Sequence, residues 1–283
     1  MEERIDIDRT TYTLVKEQRS GIGIYRSEHA YLRIGPPDAI QLQREMHVHL
    51  EERGFPVPKM LSSGVHAGFS YFTEESLGER RFLDLFANDF SQTGVVSERR
   101  FAEFITICER FFRAQMRSEE RPSDERIFAS AIHVDLLTAE LPSHEVAIRE
   151  QFARRFKNVS VYPSRVMHGD FNPSNTYPRG VIDFEDTSSG PVGYDLTCAI
   201  TTQEWFPQGT QYEFPSRYRL SEAHVQRFVA HFDAIFAKYS LQSLSHAVDD
   251  FEFFRAIWLT VRMHKWPRLQ KYRYDLFIKK YLS

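Results

Sequence analysis

The sequence predicts an α+β protein in two parts, a small strand-rich part over residues 1–78 and a larger helical part over 79–283. Three observations carry this. Between Thr10 and Gly78, short runs of β-branched and aromatic residues alternate with turn residues around a single amphipathic helix. Beyond Gly78, aromatic and aliphatic residues recur at helical spacing. Within that helical part, one short strand-turn-strand lies between polar flanks at residues 175–184.

The first strands are expected at Thr11–Val15, Ile22–Tyr25 and Tyr31–Ile34, with Ser27-Glu28-His29 as the turn between the second and third. A helix opens after Pro36-Pro37-Asp38, carries Ile40, Met46, Val48 and Leu50, and ends at Gly54 with Pro56 and Pro58 beyond. Phe69–Thr73 reads as a further strand. Phe101, Phe104, Ile105, Cys108, Phe111 and Phe112 form a helical stripe behind Ser97 as N-cap. Val225, Phe228, Phe232 and Phe236 repeat it behind Ser221, and Phe251, Phe254, Trp258 and Val261 mark a third helix expected to stop at Pro267. Such stripes are core faces rather than a ligand box.

Composition narrows the function. With 283 residues, 42% hydrophobic and 27% charged, the chain is globular. No apolar run approaches the roughly 20 residues of a membrane span, and no apolar secretory stretch follows Met1, so a cytoplasmic protein with no membrane partner is expected. Two cysteines, Cys108 and Cys198, allow neither a disulfide framework nor a Cys-rich zinc site. A net charge of −3 provides no overall reason to bind nucleic acid. The sequence assigns no oligomeric state.

The chemistry is sought in His168-Gly169-Asp170-Phe171-Asn172-Pro173-Ser174-Asn175, followed after eight residues by Asp183 in Val181-Ile182-Asp183-Phe184. Phosphoryl transfer needs a carboxylate to orient and deprotonate a hydroxyl, and a carboxylate with an amide oxygen to hold magnesium against the phosphates. Hard oxygen donors suit Mg²⁺. A hairpin between Asn175 and Asp183 would return both to one end of a sheet, and Asp170 precedes Asn175 by the base-to-amide interval of a kinase catalytic loop. Alone, an aspartate such as Asp170 is more often a turn or cap residue than a base.

These residues resemble the aminoglycoside phosphotransferase and choline kinase superfamily, most closely from Val166 to Ala199. The resemblance implies a protein-kinase-like, two-lobed fold with Mg²⁺ and ATP or GTP. His168-Gly169-Asp170 with Asn175 matches the family's catalytic loop, making Asp170 the catalytic residue, and Ile182-Asp183-Phe184 matches its metal-binding segment. In Gly190-Pro191-Val192-Gly193-Tyr194-Asp195, Asp195 would buttress the catalytic loop beside His168, or else cap the next helix. In the amino-terminal part, Ser20-Gly21-Ile22-Gly23 resembles the phosphate-covering loop. Arg33 stands where a kinase usually has lysine, Glu45 is its matching helix acid, and Glu75 and Ser76 fall in the hinge that binds the base.

The partners implied are a nucleotide and a small hydroxylated acceptor. Breadth within the family ranks an aminoglycoside-type antibiotic first, ahead of choline-, homoserine- or sugar-like metabolites. From Leu196 to Ser283 there are twelve basic and eight acidic residues; Glu204, Asp249, Asp250 and Glu252 are the acids that could line a pocket for a polycation, and Trp205 could cradle a cationic headgroup. The alternative from another class is a nucleotide-binding pseudokinase, supported by Arg33 alone. A protein kinase is disfavoured by the missing Asp-Phe-Gly and Ala-Pro-Glu after Asp183.

Overall fold

The structure is a computed structural model that describes residues 2–18, 20–201, 203–207, 217–262 and 264–283. The chain divides into two compact units, Met1–Glu79 with Tyr177–Ile182, and Arg80–Thr176 with Asp183–Ser283. The smaller unit thus takes in a short piece that the sequence reading left in 79–283. Local bonding explains this: Val181 N–H donates to Pro56 O at 2.7 Å, and Arg179 pairs with Glu75 at 2.9 Å. Gly180 is required there, because a Cβ would lie 2.4 Å from Pro56 O.

The smaller unit is built on β1 (Arg4–Ile7), β2 (Thr10–Glu17), β3 (Gly23–Arg26), β4 (Ala30–Gly35), α1 (Pro37–Glu52), β5 (Met60–His66) and β6 (Phe69–Glu75). The strands form one antiparallel sheet in the order β1-β2-β3-β4-β6-β5. Alternation sorts its faces. Ala30, Leu32 and Ile34 join Tyr12, Tyr25 and Tyr71 in one apolar cluster, whereas Ile22 and Phe72 pack with Ile40 of α1 in another. The Ser27 amide closes the β3–β4 turn on Ala30 O at 2.8 Å. Strands β1 and β5 were not foreseen, since Leu61-Ser62-Ser63-Gly64-Val65 is mostly small and polar and β1 is four residues long.

The larger unit is mainly helical: α2 (Phe82–Thr93), α3 (Glu98–Arg117), α4 (Glu125–Ala131), α5 (Val134–Glu140), α6 (Glu145–Val159), then β7 (Ser164–Met167), β8 (Ser188–Pro191), α7 (Tyr194–Thr201), α8 (Glu222–Lys238), α9 (Val248–Thr260) and α10 (Pro267–Phe277). Ser97 and Ser221 cap α3 and α8 as expected, accepting from Arg100 N at 3.4 Å and His224 N at 3.2 Å. The aromatic stripes are core: Phe112 stacks on Phe236 at 5.0 Å, and Phe128 meets Phe254 edge-on at 5.1 Å. Pro267 does not stop α9. That helix ends at Thr260, and Pro267 opens α10 at its first turn, where a missing N–H costs nothing.

The two strands of the second sheet, β7 and β8, pair antiparallel with Met167 opposite Ser188. They bracket residues 168–187 and thereby fix both ends of the segment that carries the catalytic motif. The expected strand-turn-strand inside that segment reduces to one tight turn, with Tyr177 N–H to Gly180 O at 2.7 Å and Gly180 N–H to Tyr177 O at 3.2 Å.

Candidate active site

Asp170 sits at the centre of a closed set of hydrogen bonds within the larger unit. Its Oδ1 accepts from Asn172 Nδ2 at 2.7 Å and from Arg255 Nη2 at 2.6 Å; its Oδ2 accepts from Asn175 Nδ2 at 3.1 Å. Both asparagines also donate to its carbonyl, at 3.0 and 2.9 Å. The loop is held locally, since Asn172 Oδ1 accepts from Ser174 N and Asn172 O accepts from Asn175 N and Thr176 Oγ1. Asp170 and Asn175 are therefore brought together as the spacing suggested.

Behind the loop lies Asp195, 1% exposed, in the first turn of α7. Its carboxylate takes the amides of His168 (2.9 Å) and Gly169 (3.0 Å) and the Gln115 side chain of α3 (2.9 Å). Burial pushes its pKa up, an effect partly offset by His168 and by these amides. The geometry is that of a buttress; Asp195 lies inside α7 and does not cap it. His168 is fully buried among Phe111, Phe171 and Phe184, and its Nδ1 accepts from Asp170 N at 3.2 Å, so the other ring nitrogen is the one available to carry a proton.

Gly169 joins the catalytic loop to the segment after Asp183. It has φ +83°, and a Cβ there would stand 2.6 Å from Asp186 O. Asp183 itself adopts a left-handed conformation (φ 67°, ψ 55°), sparsely populated for a residue with a Cβ. Asp186 is fastened by Arg262 of the segment after α9, at 2.8 Å.

Hard-oxygen chemistry fits these residues. Because Asn175 turns Nδ2 toward Asp170, its Oδ1 is the atom left to face a cation, and Asp183 is partly exposed. Among the described residues no group of three or more His, Cys, Asp or Glu is placed to hold a metal. Mg²⁺ ordinarily takes one or two carboxylates and completes its shell with water and phosphate oxygens.

In the smaller unit the expectations need correction. Arg33 does not pair with Glu45. Its Nε meets Glu74 Oε1 at 3.2 Å and its Nη1 donates to Gln43 at 3.4 Å, while His47 Nδ1 lies 3.6 Å from the other Glu74 oxygen. Periodicity is the cause: α1 turns Ile40, Gln43, His47 and Leu50 toward the sheet, which puts Glu45 on the exposed side, where it accepts from Gln41. Glu74 and Arg33 share the α1 face of the sheet and are diagonal neighbours across β4 and β6. The hinge amides are also spent, because Glu75 N–H donates to Lys59 O at 2.9 Å and Ser76 N–H to His29 O at 2.8 Å. Ser20, Gly21 and Gly23 stand at the β2–β3 turn, where Gly21 (φ +78°) donates to Gln18 O at 3.0 Å.

The acidic candidates for a polycation pocket are mostly occupied. Asp250 pairs with Arg155 at 2.7 Å, and Lys280 meets Glu204 at 2.5 Å and Glu252 at 3.5 Å. Trp205 is buried, and its carbonyl accepts from Arg273 at 3.0 Å, so its ring is no open cradle.

Sequence reasoning missed Arg255, Gln115 and Glu74. The signal for the first two was present: Arg255 interrupts the otherwise apolar Phe253-Phe254-Ala256-Ile257-Trp258, and Gln115 continues the Phe111 stripe of α3 one turn on. A polar residue on a buried face has a partner to find.

Comparison with known proteins agrees with this geometry. The model of a family described as phosphotransferase enzyme family matches residues 7–227. No curated protein matches. Among solved structures, an aminoglycoside-3'-phosphotransferase of type VIII is similar at 14% identity and TM-score 0.52, covering 91% of this chain and 94% of that one. A thermostable mutant of aminoglycoside phosphotransferase APH(4)-Ia, in ternary complex with ADP and hygromycin B, gives 10% and 0.55 with coverage of 95% and 93%. A Plasmodium vivax ethanolamine kinase gives 12% and 0.52 with coverage of 94% and 80%. These likenesses show a kinase-like fold with a sheet-based amino-terminal lobe and a helical carboxyl-terminal lobe. With its family model matched over more than two thirds of its length, the chain belongs to the phosphotransferase enzyme family.

Proposed function

We propose that the protein transfers the terminal phosphoryl group of ATP, or GTP, to a hydroxyl of a small acceptor in a Mg²⁺-dependent reaction. The observation that carries this reading is the Asp170 carboxylate, fixed by Asn172, Asn175 and Arg255 yet with a side chain still 24% exposed. Asp170 orients the acceptor hydroxyl and takes its proton; a bond forms from that oxygen to the terminal phosphorus, the bond to the bridging oxygen breaks, and the nucleoside diphosphate leaves. Bound Mg²⁺ would neutralise phosphate charge, with Asn175 and Asp183 as its protein ligands. Asp195 and His168 hold the loop from behind. The solved APH(4)-Ia complex contains ADP, which supports a nucleotide donor. An intact Asp170, Asn175 and Asp183 set favours turnover over a pseudokinase.

For the acceptor, the ion pairs at Asp250, Glu204 and Glu252 favour a compact molecule of low charge over a polycationic aminoglycoside. An open depression beside Asp186 has a mixed polar lining that includes Arg126, His133, Glu185 and Thr187. The test is transfer of label from γ-labelled ATP with Mg²⁺ to ethanolamine, choline, homoserine, hygromycin B, streptomycin and water. Transfer to one of the first three with none to the antibiotics is expected. Transfer to an antibiotic alone would overturn the acceptor class, and none to any of them would overturn the reaction.

A further inference from the structure

Among the described residues, Arg255 is the side chain from a distant element that reaches the Asp170 carboxylate itself. It lies on α9, 85 residues beyond Asp170, and its side chain is 1% exposed. Nη2 donates to Asp170 Oδ1 at 2.6 Å and Nη1 to Gly169 O at 3.2 Å, so one guanidinium grips both the carboxylate and the backbone of the loop. The ring of Trp258, one turn along α9, stacks on it with 4.2 Å from guanidinium carbon to ring centroid. The same ring carries Arg262 at 4.2 Å, and Arg262 in turn holds Asp186, whose carbonyl abuts Gly169. A buried ion pair is a weak source of stability, because both charges must leave water. Its geometric effect is specific.

A carboxylate oxygen has two lone-pair directions. Oδ1 has both filled, by Arg255 and Asn172, whereas Oδ2 has one filled, by Asn175. We infer that Arg255 is a positioning residue for phosphoryl transfer: it saturates Oδ1 of Asp170 and so leaves Oδ2 as the single oxygen turned to the acceptor hydroxyl. This rests on Asp170 acting as proposed above. It assigns a role to α9 that the catalytic loop's own sequence does not contain.

The test is a double-mutant cycle between Arg255 and Asp170, read as kcat and KM for Mg-ATP with the six acceptors named above. Arg255→Met should lower kcat about 10²-fold, the scale of a misplaced reacting group, and leave the KM for Mg-ATP unchanged. Arg255→Lys keeps the charge with one donor head and should recover part of that loss. In an Asp170→Asn background, Arg255→Met should cost no further turnover, since its effect passes through that carboxylate. Equal losses in both backgrounds, or an Arg255→Met enzyme with wild-type kcat, would overturn the inference while the reaction itself stands. Should Arg255→Met not fold, the Arg255→Lys cycle with Asp170→Asn decides in the same way. A wild type that phosphorylates none of the acceptors, water included, overturns the reaction and this inference together.

Discussion

At the scale of single residues, the fixed partners decide which substitutions matter. Glu74 is buried against Arg33 and His47, so Glu74→Ala leaves a cation without its carboxylate and should cost about 3 kcal/mol. Glu45→Ala, on the exposed side of α1, should stay within about 0.5 kcal/mol of wild type. Denaturant unfolding of both variants checks this, and a larger loss for Glu45→Ala would restore the helix acid as Arg33's partner. The contrast also shows what was legible. Asp170 and Asn175 could be read because their five-residue spacing mirrors the local bonds they make, and His168 and Asp195 were legible only through the family resemblance. Glu74 and Arg255 could not, because strand register and the packing of α9 bring them in, and neither register nor helix packing is written in local spacing.

Elements convert those residues into a rigid frame. The β7–β8 pair clamps residues 168–187 at both ends, and Gly169 lets the loop pass within contact distance of Asp186 O. Gly169→Ala places a Cβ 2.6 Å from that oxygen on a left-handed backbone, so it should lose both stability and transfer activity. Gly68→Ala is the control: it shares a positive φ but meets no atom within 4 Å, so it should lose stability alone. Calorimetry and label transfer on both variants separate strain from collision. The long helices were readable from their 3.6-residue stripes. Strands β1 and β5 were not, since β1 is only four residues long and β5, though seven, is built largely of small and polar residues, and Pro267 misled because proline opens helices as readily as it ends them.

Over the whole molecule, the apolar interior bears on the two thiols. Cys108 and Cys198 are fully buried, and burial pushes the Cys198 thiol up to about 12 and Cys108 well above its ordinary value. Both should resist iodoacetamide at neutral pH in the folded protein and react together on unfolding; fast labelling of either under native conditions would show a local opening. No helix among the described residues is long and apolar enough to cross a membrane. The two-part division was legible in the switch from period 2 to period 3.6 near Gly78, but the return of Tyr177–Ile182 to the smaller unit was not, because it depends on the Pro56 carbonyl and Glu75.

The centre of this picture is a carboxylate that acts on the acceptor and not on the nucleotide. Label transfer from γ-labelled Mg-ATP by Asp170→Asn, with the Mg-ATP-induced rise in Tm measured on the same preparation, tests it most directly. Transfer should fall about 10²- to 10⁴-fold while the rise in Tm stays as in wild type, whereas near-normal transfer by Asp170→Asn would contradict the assignment.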